Sequence, residues 1–123
     1  MAGERYEREL ARAFDDAGWI VMKSPASGSA TKRPQPDLLA GNGKRQFAME
    51  LKVCDGERIY LDPEEIEQLE HVARGFGALP RVVARWKGDT TYYARAPEQL
   101  TRTEGGAYRY HRDDGGAAFP PGS

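Results

Sequence analysis

Apolar residues recur every three to four positions over residues 4–17, placing Tyr6, Leu10, Ala13, Phe14 and Ala17 on one face. That spacing predicts an amphipathic helix, which Gly18 ends. The hydrophobic run 19–23 predicts a short strand. After a polar loop the period changes to two. Leu38, Leu39 and Ala40 lead to Gly41-Asn42-Gly43, and then Phe47, Met49, Leu51 and Val53 alternate with Ala48, Glu50 and Lys52. Two strands joined by a tight Asn-Gly turn follow from this. Residues 59–61 are briefly extended. Asp62, Pro63 and Glu65 form the start signal of a second helix, with Ile66, Leu69, Val72, Ala73 and Phe76 on its core or partner face, and Gly75 or Gly77 stops it. Residues 81–86 and 90–94 read as a second hairpin, 97–100 as one helical turn, and Tyr108 and Tyr110 as a last short strand. The predicted fold is α/β, with a central mixed five-stranded sheet flanked by helices. Residues 1–112 form the domain, and 113–123, rich in Gly and Pro, are expected to fray as a tail.

Composition changes this picture little. With 123 residues, 39% apolar and 30% charged, the chain is expected to make one soluble domain. No apolar stretch is long enough to span a membrane, and the charged N-terminus does not resemble a signal peptide, so an intracellular protein is expected. Cys54, the single cysteine, excludes an internal disulfide and reads as a passive strand-end residue. His71 and His111 are too far apart in sequence for a zinc cluster, and His71 reads as a surface residue. Trp86, Tyr92 and Tyr93 read as core. A formal charge of −1 lacks the basic excess usual in proteins that neutralise phosphates. Eight cations, from Arg5, Arg8 and Arg12 to Lys44 and Arg45, do fall in the first 45 residues, interspersed with acids.

Candidate chemistry lies on the first hairpin. With Asn42 and Gly43 as the turn, Gly41 pairs with Lys44 and Asp37 stands opposite Ala48. Asp37, Glu50 and Lys52 then share one face, with Asp37 diagonal to Glu50. Slipping the register by one residue would destroy this grouping. Two carboxylates so close repel unless a cation sits between them, and Mg²⁺ takes such oxygens together with water and phosphate oxygens. A neighbouring lysine can stabilise charge at phosphorus, or can orient and deprotonate a water if its pKa is depressed. Metal-dependent phosphodiester hydrolysis is the chemistry that fits.

Two further segments bear on the site. Residues 24–36 combine small and hydroxyl side chains, including Ser27 and Ser29, with the cations Lys32 and Arg33. Such an arm suits phosphate contacts through serines, backbone N–H groups and charge. On the first helix, Glu7 and Glu9 border the apolar stripe on its two edges, and periodicity does not choose between them. The acidic start of the second helix has a structural explanation in the helix dipole and receives no catalytic role.

At these residues the chain resembles the archaeal-type Holliday junction resolvases of the PD-(D/E)xK nuclease superfamily. The likeness runs over roughly residues 3–110. It includes Gly3-Glu4-Arg5-Tyr6-Glu7-Arg8-Glu9-Leu10, Lys23-Ser24-Pro25-Ala26-Ser27-Gly28-Ser29, Pro36-Asp37-Leu38-Leu39-Ala40-Gly41-Asn42-Gly43 and Glu50-Leu51-Lys52-Val53. Ile59-Tyr60-Leu61 and Val72-Ala73-Arg74-Gly75-Phe76-Gly77 continue it. The nuclease core is common to many restriction and repair enzymes, and the serine-rich loop together with the Glu7-Arg8 helix narrows it to resolvases.

The resemblance implies a restriction-endonuclease-like fold and a homodimer that binds four-way junction DNA by shape. It implies paired nicks on opposed strands with Mg²⁺, for which Mn²⁺ could substitute, in an archaeal or virus-encoded protein. Carried over by position, Glu7 joins Asp37, Glu50 and the Leu51 backbone carbonyl around the metal, with Lys52 as catalytic lysine and Ser27 contributed by the loop. Arg8 and Lys23 contact phosphates, and Arg5, Ser29, Lys32 and Arg33 belong to the same DNA-binding set. Lys23 stands where the family pattern has arginine, which keeps the charge and loses the bidentate fork. The second helix and strand 81–86 are the expected dimer face. Another nuclease of the superfamily acting on linear, nicked or flapped DNA, or a non-catalytic junction-binding module, would share much of this pattern.

Overall fold

The amphipathic N-terminal segment forms helix α1 (Ala2–Asp16), with Leu10 and Phe14 fully buried, in a computed structural model that describes residues 2–24 and 35–122. Gly18, at φ 90°, turns the chain so that the Trp19 N–H reaches back to the Phe14 carbonyl. Strand β1 (Ile20–Lys23) follows, then β2 (Leu38–Gly41) and β3 (Gln46–Cys54). A short strand β4 (Arg58–Leu61) leads into helix α2 (Pro63–Phe76), whose end is set by Gly77 in the left-handed region at φ 68°. Then come β5 (Leu79–Trp86), β6 (Tyr92–Arg95), β7 (Thr101–Arg102), β8 (Tyr108–His111) and β9 (Ala117–Phe119).

Six of these strands make one mixed sheet, ordered β1-β2-β3-β5-β6-β9, in which only β3 and β5 run parallel. The α2 crossover makes that parallel pair possible. The other three form a small antiparallel sheet, β4-β8-β7. Helix α1 covers one face of the main sheet, over Trp19, Phe47, Met49 and Val83. Helix α2 and the small sheet cover the other, over Ala48, Val82, Ala84 and Trp86. Trp86 and Tyr92 are core, as their alternation suggested, and His71 is on the surface. Neither helix is long and apolar enough to cross a membrane.

Two expectations need correction. The segment from Asp113 onward is not frayed throughout: β9 adds a sixth strand to the five expected, and Phe119 packs into the core at 4.9 Å from the Phe47 ring and 5.8 Å from Phe14. Gly116 permits this, because a Cβ there would lie 2.7 Å from both the Ala94 carbonyl and the Tyr110 hydroxyl. A stretch of Gly, Ala and Pro with one aromatic carries too little hydrophobic pattern to show this in sequence. Strand 81–86 is also no dimer face, since β5 is central in the sheet and Val82, Val83, Ala84 and Trp86 are buried.

Candidate active site

The loop between β2 and β3 takes residues 42–45. The Asn42 side chain accepts from the N–H groups of Lys44 (2.9 Å) and Arg45 (2.8 Å), and Gly43 sits at φ 88°. Gly41 therefore pairs with Gln46, not with Lys44. A shift of two residues preserves which side chains share a face, so the expected grouping survives. Leu38 stands opposite Met49, which brings Asp37 level with Glu50 where a diagonal was expected.

The sheet forks at this point. β2 begins at Leu38, whereas β3 runs on to Cys54 beside β5 alone. Asp37 fills the missing rung, its Oδ2 accepting from the Leu51 N–H at 2.7 Å. The N–H and C=O of one strand residue leave along the same edge, so the Leu51 carbonyl also faces this unpaired edge. The two ends of segment 25–34 are tied nearby. Ser24 donates its hydroxyl to the Pro36 carbonyl and its N–H to the Asp37 carbonyl at 3.1 Å. Ser27, Ser29, Lys32 and Arg33 lie outside the described residues.

The carboxyls at the fork are shifted toward their protonated forms. Burial, reinforced by Asp37, pushes the Glu50 carboxyl up to about 8. Asp37 is also raised by burial, against the lowering effect of its bond from Leu51. Glu7 is raised too, by burial and then by Asp37, with Lys23 pulling the other way. Glu7 therefore lies within electrostatic range of the pair, while Glu9 accepts from the Tyr92 hydroxyl at 3.0 Å and lies 4.0 Å from Arg85. The fold thus separates the two glutamates that periodicity could not. Arg5, Arg8 and Lys23 are exposed, with Lys23 near Glu7 and Arg5 lying over the Tyr6 ring at 5.5 Å.

Lys52 is half-buried, with Nζ 4.0 Å from Glu50 and 2.8 Å from Oε1 of Glu65 on α2. Burial lowers its pKa, but the bond it donates to Glu65 and the surrounding carboxylates outweigh this and raise it above the ordinary amine value. Without a metal, these carboxylates favour the ammonium form of Lys52. Sequence reasoning confined Glu65 to the helix start and missed this contact. Its signal was present only as a glutamate three residues after the helix cap, which many helices carry. Arg85 and Lys87 were not singled out in the sequence. They line a cleft of about 620 Å³ that passes Leu51 and Lys52 on the α1 side.

Among the described residues, no three acidic, histidine or cysteine side chains are close enough to hold one ion together. The donor set at the fork is two carboxylates, Asp37 and Glu50, and the Leu51 carbonyl, with Glu7 alongside. That composition fits Mg²⁺, which keeps several waters and takes only one or two carboxylates. The raised carboxyls fit as well, because repulsion between them falls when a dication is held there.

A forked mixed sheet with two carboxylates and a lysine at the fork places the chain in the restriction-endonuclease-like fold class. Residues 1–119 match the model of the archaeal Holliday junction resolvase (Hjc) family. The chain is 41% identical over 76 residues to the crossover junction endodeoxyribonuclease Hjc of Archaeoglobus fulgidus, covering 62% of this chain and 55% of that protein. It is 31% identical over 107 residues to the Hjc of Sulfolobus acidocaldarius, covering 86% of this chain and 73% of that one. The crystal structure of Archaeoglobus fulgidus Hjc, a Holliday junction resolvase, superposes with a TM-score of 0.81 at 31% identity, over 90% of this chain and 89% of that chain. The chain belongs to the archaeal Holliday junction resolvase family.

Proposed function

We propose that this protein resolves four-way DNA junctions as a homodimer, cutting two opposed strands by Mg²⁺-dependent phosphodiester hydrolysis. The observation that carries the reading is the fork, where Asp37, Glu50 and Lys52 meet beside an unpaired strand edge. Asp37, Glu50 and the Leu51 carbonyl would hold Mg²⁺ or Mn²⁺, with Glu7 adding negative charge. Bound there, the ion supplies charge neutralisation at the scissile phosphate and a water of lowered pKa. Lys52 places its ammonium against a phosphate oxygen and stabilises the charge that develops during in-line attack. Arg5, Arg8 and Lys23, all exposed, would contact flanking phosphates, and Ser27, Ser29, Lys32 and Arg33 would contact DNA from the loop between β1 and β2.

An uncovered part of the main sheet supports the dimer. α2 and the small sheet leave the β1–β2 end of their face bare. There, among the described residues, Ile20 (75% exposed), Met22 (67%) and Phe76 (67%) form one apolar area. These side chains line a cleft of about 300 Å³ together with Leu39 and Ala78. Such a patch suits a second copy of the chain. The end of α2 thus keeps its place in the dimer reading, and β1 replaces strand 81–86.

A synthetic four-way junction and a linear duplex of the same sequence, each with Mg²⁺, with Mn²⁺ or with chelator, test the function. Paired nicks on opposed junction strands, dependent on the metal and absent from the duplex, are expected. Equal cutting of both substrates would leave only a general nuclease, and binding without cutting would leave only a junction-binding module.

A further inference from the structure

We propose that Glu65 is the positioning residue for Lys52, a role distinct from its part in starting helix α2. The inference rests on the reading of Lys52 as the catalytic lysine. Glu65 uses both carboxylate oxygens: Oε1 accepts from Lys52 Nζ at 2.8 Å and Oε2 accepts from the Asp62 N–H at 2.9 Å. The second bond completes the helix start, and the first one belongs to no helix motif.

A lysine side chain has four rotatable bonds and a strongly hydrated ammonium, so it needs a fixed partner to present one geometry. Glu50 does not provide one, because its nearer oxygen is 4.0 Å from Nζ, beyond hydrogen-bond range, and in the proposed reaction it is committed to the metal. Glu65 is therefore the only side chain recorded in hydrogen-bond contact with Nζ among the described residues. Its own backbone is held by the first turn of α2, with Ile66 next to it fully buried. The anchor thus sits on a rigid element, as a side chain that must hold another in reacting geometry should. Glu64, one residue earlier, instead accepts from Gln68 at 3.4 Å on the exposed side.

Glutamine at position 65 separates the two roles. It has one carboxamide oxygen where glutamate has two, so it keeps the bond from Asp62 and turns an N–H₂ toward Lys52. Single-turnover cleavage of a four-way junction, junction affinity without metal, and thermal unfolding are measured for the parent and for Glu65→Gln, Glu64→Gln, Asp62→Ala and Lys52→Ala. Glu65→Gln is expected to slow cleavage roughly tenfold to a hundredfold, the cost of a misplaced reacting group, with affinity and melting temperature near the parent's. Glu64→Gln and Asp62→Ala, which leave the bond to Lys52 in place, are expected to cleave at the parent rate. Parent-like cleavage by Glu65→Gln beside an inactive Lys52→Ala overturns the proposal. So does Asp62→Ala slowing cleavage as much as Glu65→Gln, since the effect then belongs to the helix start. Parent-like cleavage by Lys52→Ala overturns the reading of the site itself.

Discussion

Replacing Glu50 by glutamine should make the metal-free protein more stable at high pH while abolishing its cleavage. Glu50 ionises near 8 in the folded chain, against an ordinary value of 4.5, because it is buried and faces Asp37. Between those values the folded state holds a proton that the unfolded state has released. Stability therefore falls as pH rises from about 4.5 to 8, and levels off above that. Each pH unit in the window is worth about 1.4 kcal/mol, which sets a ceiling of about 5 kcal/mol for this group. A quarter of the side chain reaches solvent (24% exposed), so screening reduces the expected cost to about 2 kcal/mol. Glutamine resembles the protonated form. The variant should melt with the parent at pH 5 and about 8 °C above it at pH 9, at roughly 3–5 °C per kcal/mol for a domain of this size. Loss of the 4.0 Å attraction to Lys52 works in the opposite direction but is weaker than the burial and Asp37 effects. Melting curves at five pH values in chelator measure the gap. Adding millimolar Mg²⁺ at pH 8 should then raise the parent's melting temperature and leave the variant's unchanged. A gap that stays constant from pH 5 to 9, or a variant less stable at pH 9, would refute the account of the acid cluster.

Three other perturbations follow from the geometry. Asp37→Asn should abolish metal-dependent nicking while retaining junction binding in a gel-shift assay, since its side chain can still accept from the Leu51 N–H; surviving activity would remove Asp37 from the metal site. Phe76→Asp, at a position 67% exposed, should change the stability of the fold by no more than about 0.5 kcal/mol yet give a monomer in light scattering at micromolar concentration; an intact dimer would place the interface elsewhere. Phe119→Ala should cost about 3 kcal/mol in urea unfolding, because its ring closes the aromatic cluster beneath α1; an effect below about 0.5 kcal/mol would mean that β9 contributes nothing to the core.

How much of this was legible in the sequence depended on the range of the interactions involved. Both helices and most strands followed from local periodicity, since Leu10, Phe14, Ile66, Leu69 and Ala73 do face the core. The Asp37, Glu50 and Lys52 face was legible despite a wrong loop length, because an error of two residues preserves the alternation. Phe119 was not legible: its strand exists only because the free edge of β6, formed by residues 92–95, accepts it. The contact between Glu65 and Lys52 was hidden for a similar reason. It joins β3 to the start of α2, and the glutamate already had a sufficient local explanation.

Locating the site at the fork also accounts for the chain's charge. A net charge of −1 weakens general attraction to DNA. Yet three raised carboxyls, Glu7, Asp37 and Glu50, lie at one end of the sheet. A dication held there would cancel much of the negative charge at the one place where a phosphate must approach. Lys23 lies near the same end, beside Glu7. The electrostatic surface that DNA meets would therefore depend on the metal, so junction affinity should rise with Mg²⁺ by more than ionic strength alone allows. In Glu50→Gln, which has a weakened metal site, that rise should shrink. Equal Mg²⁺ dependence in the two proteins would show that the carboxylate cluster has no part in binding DNA.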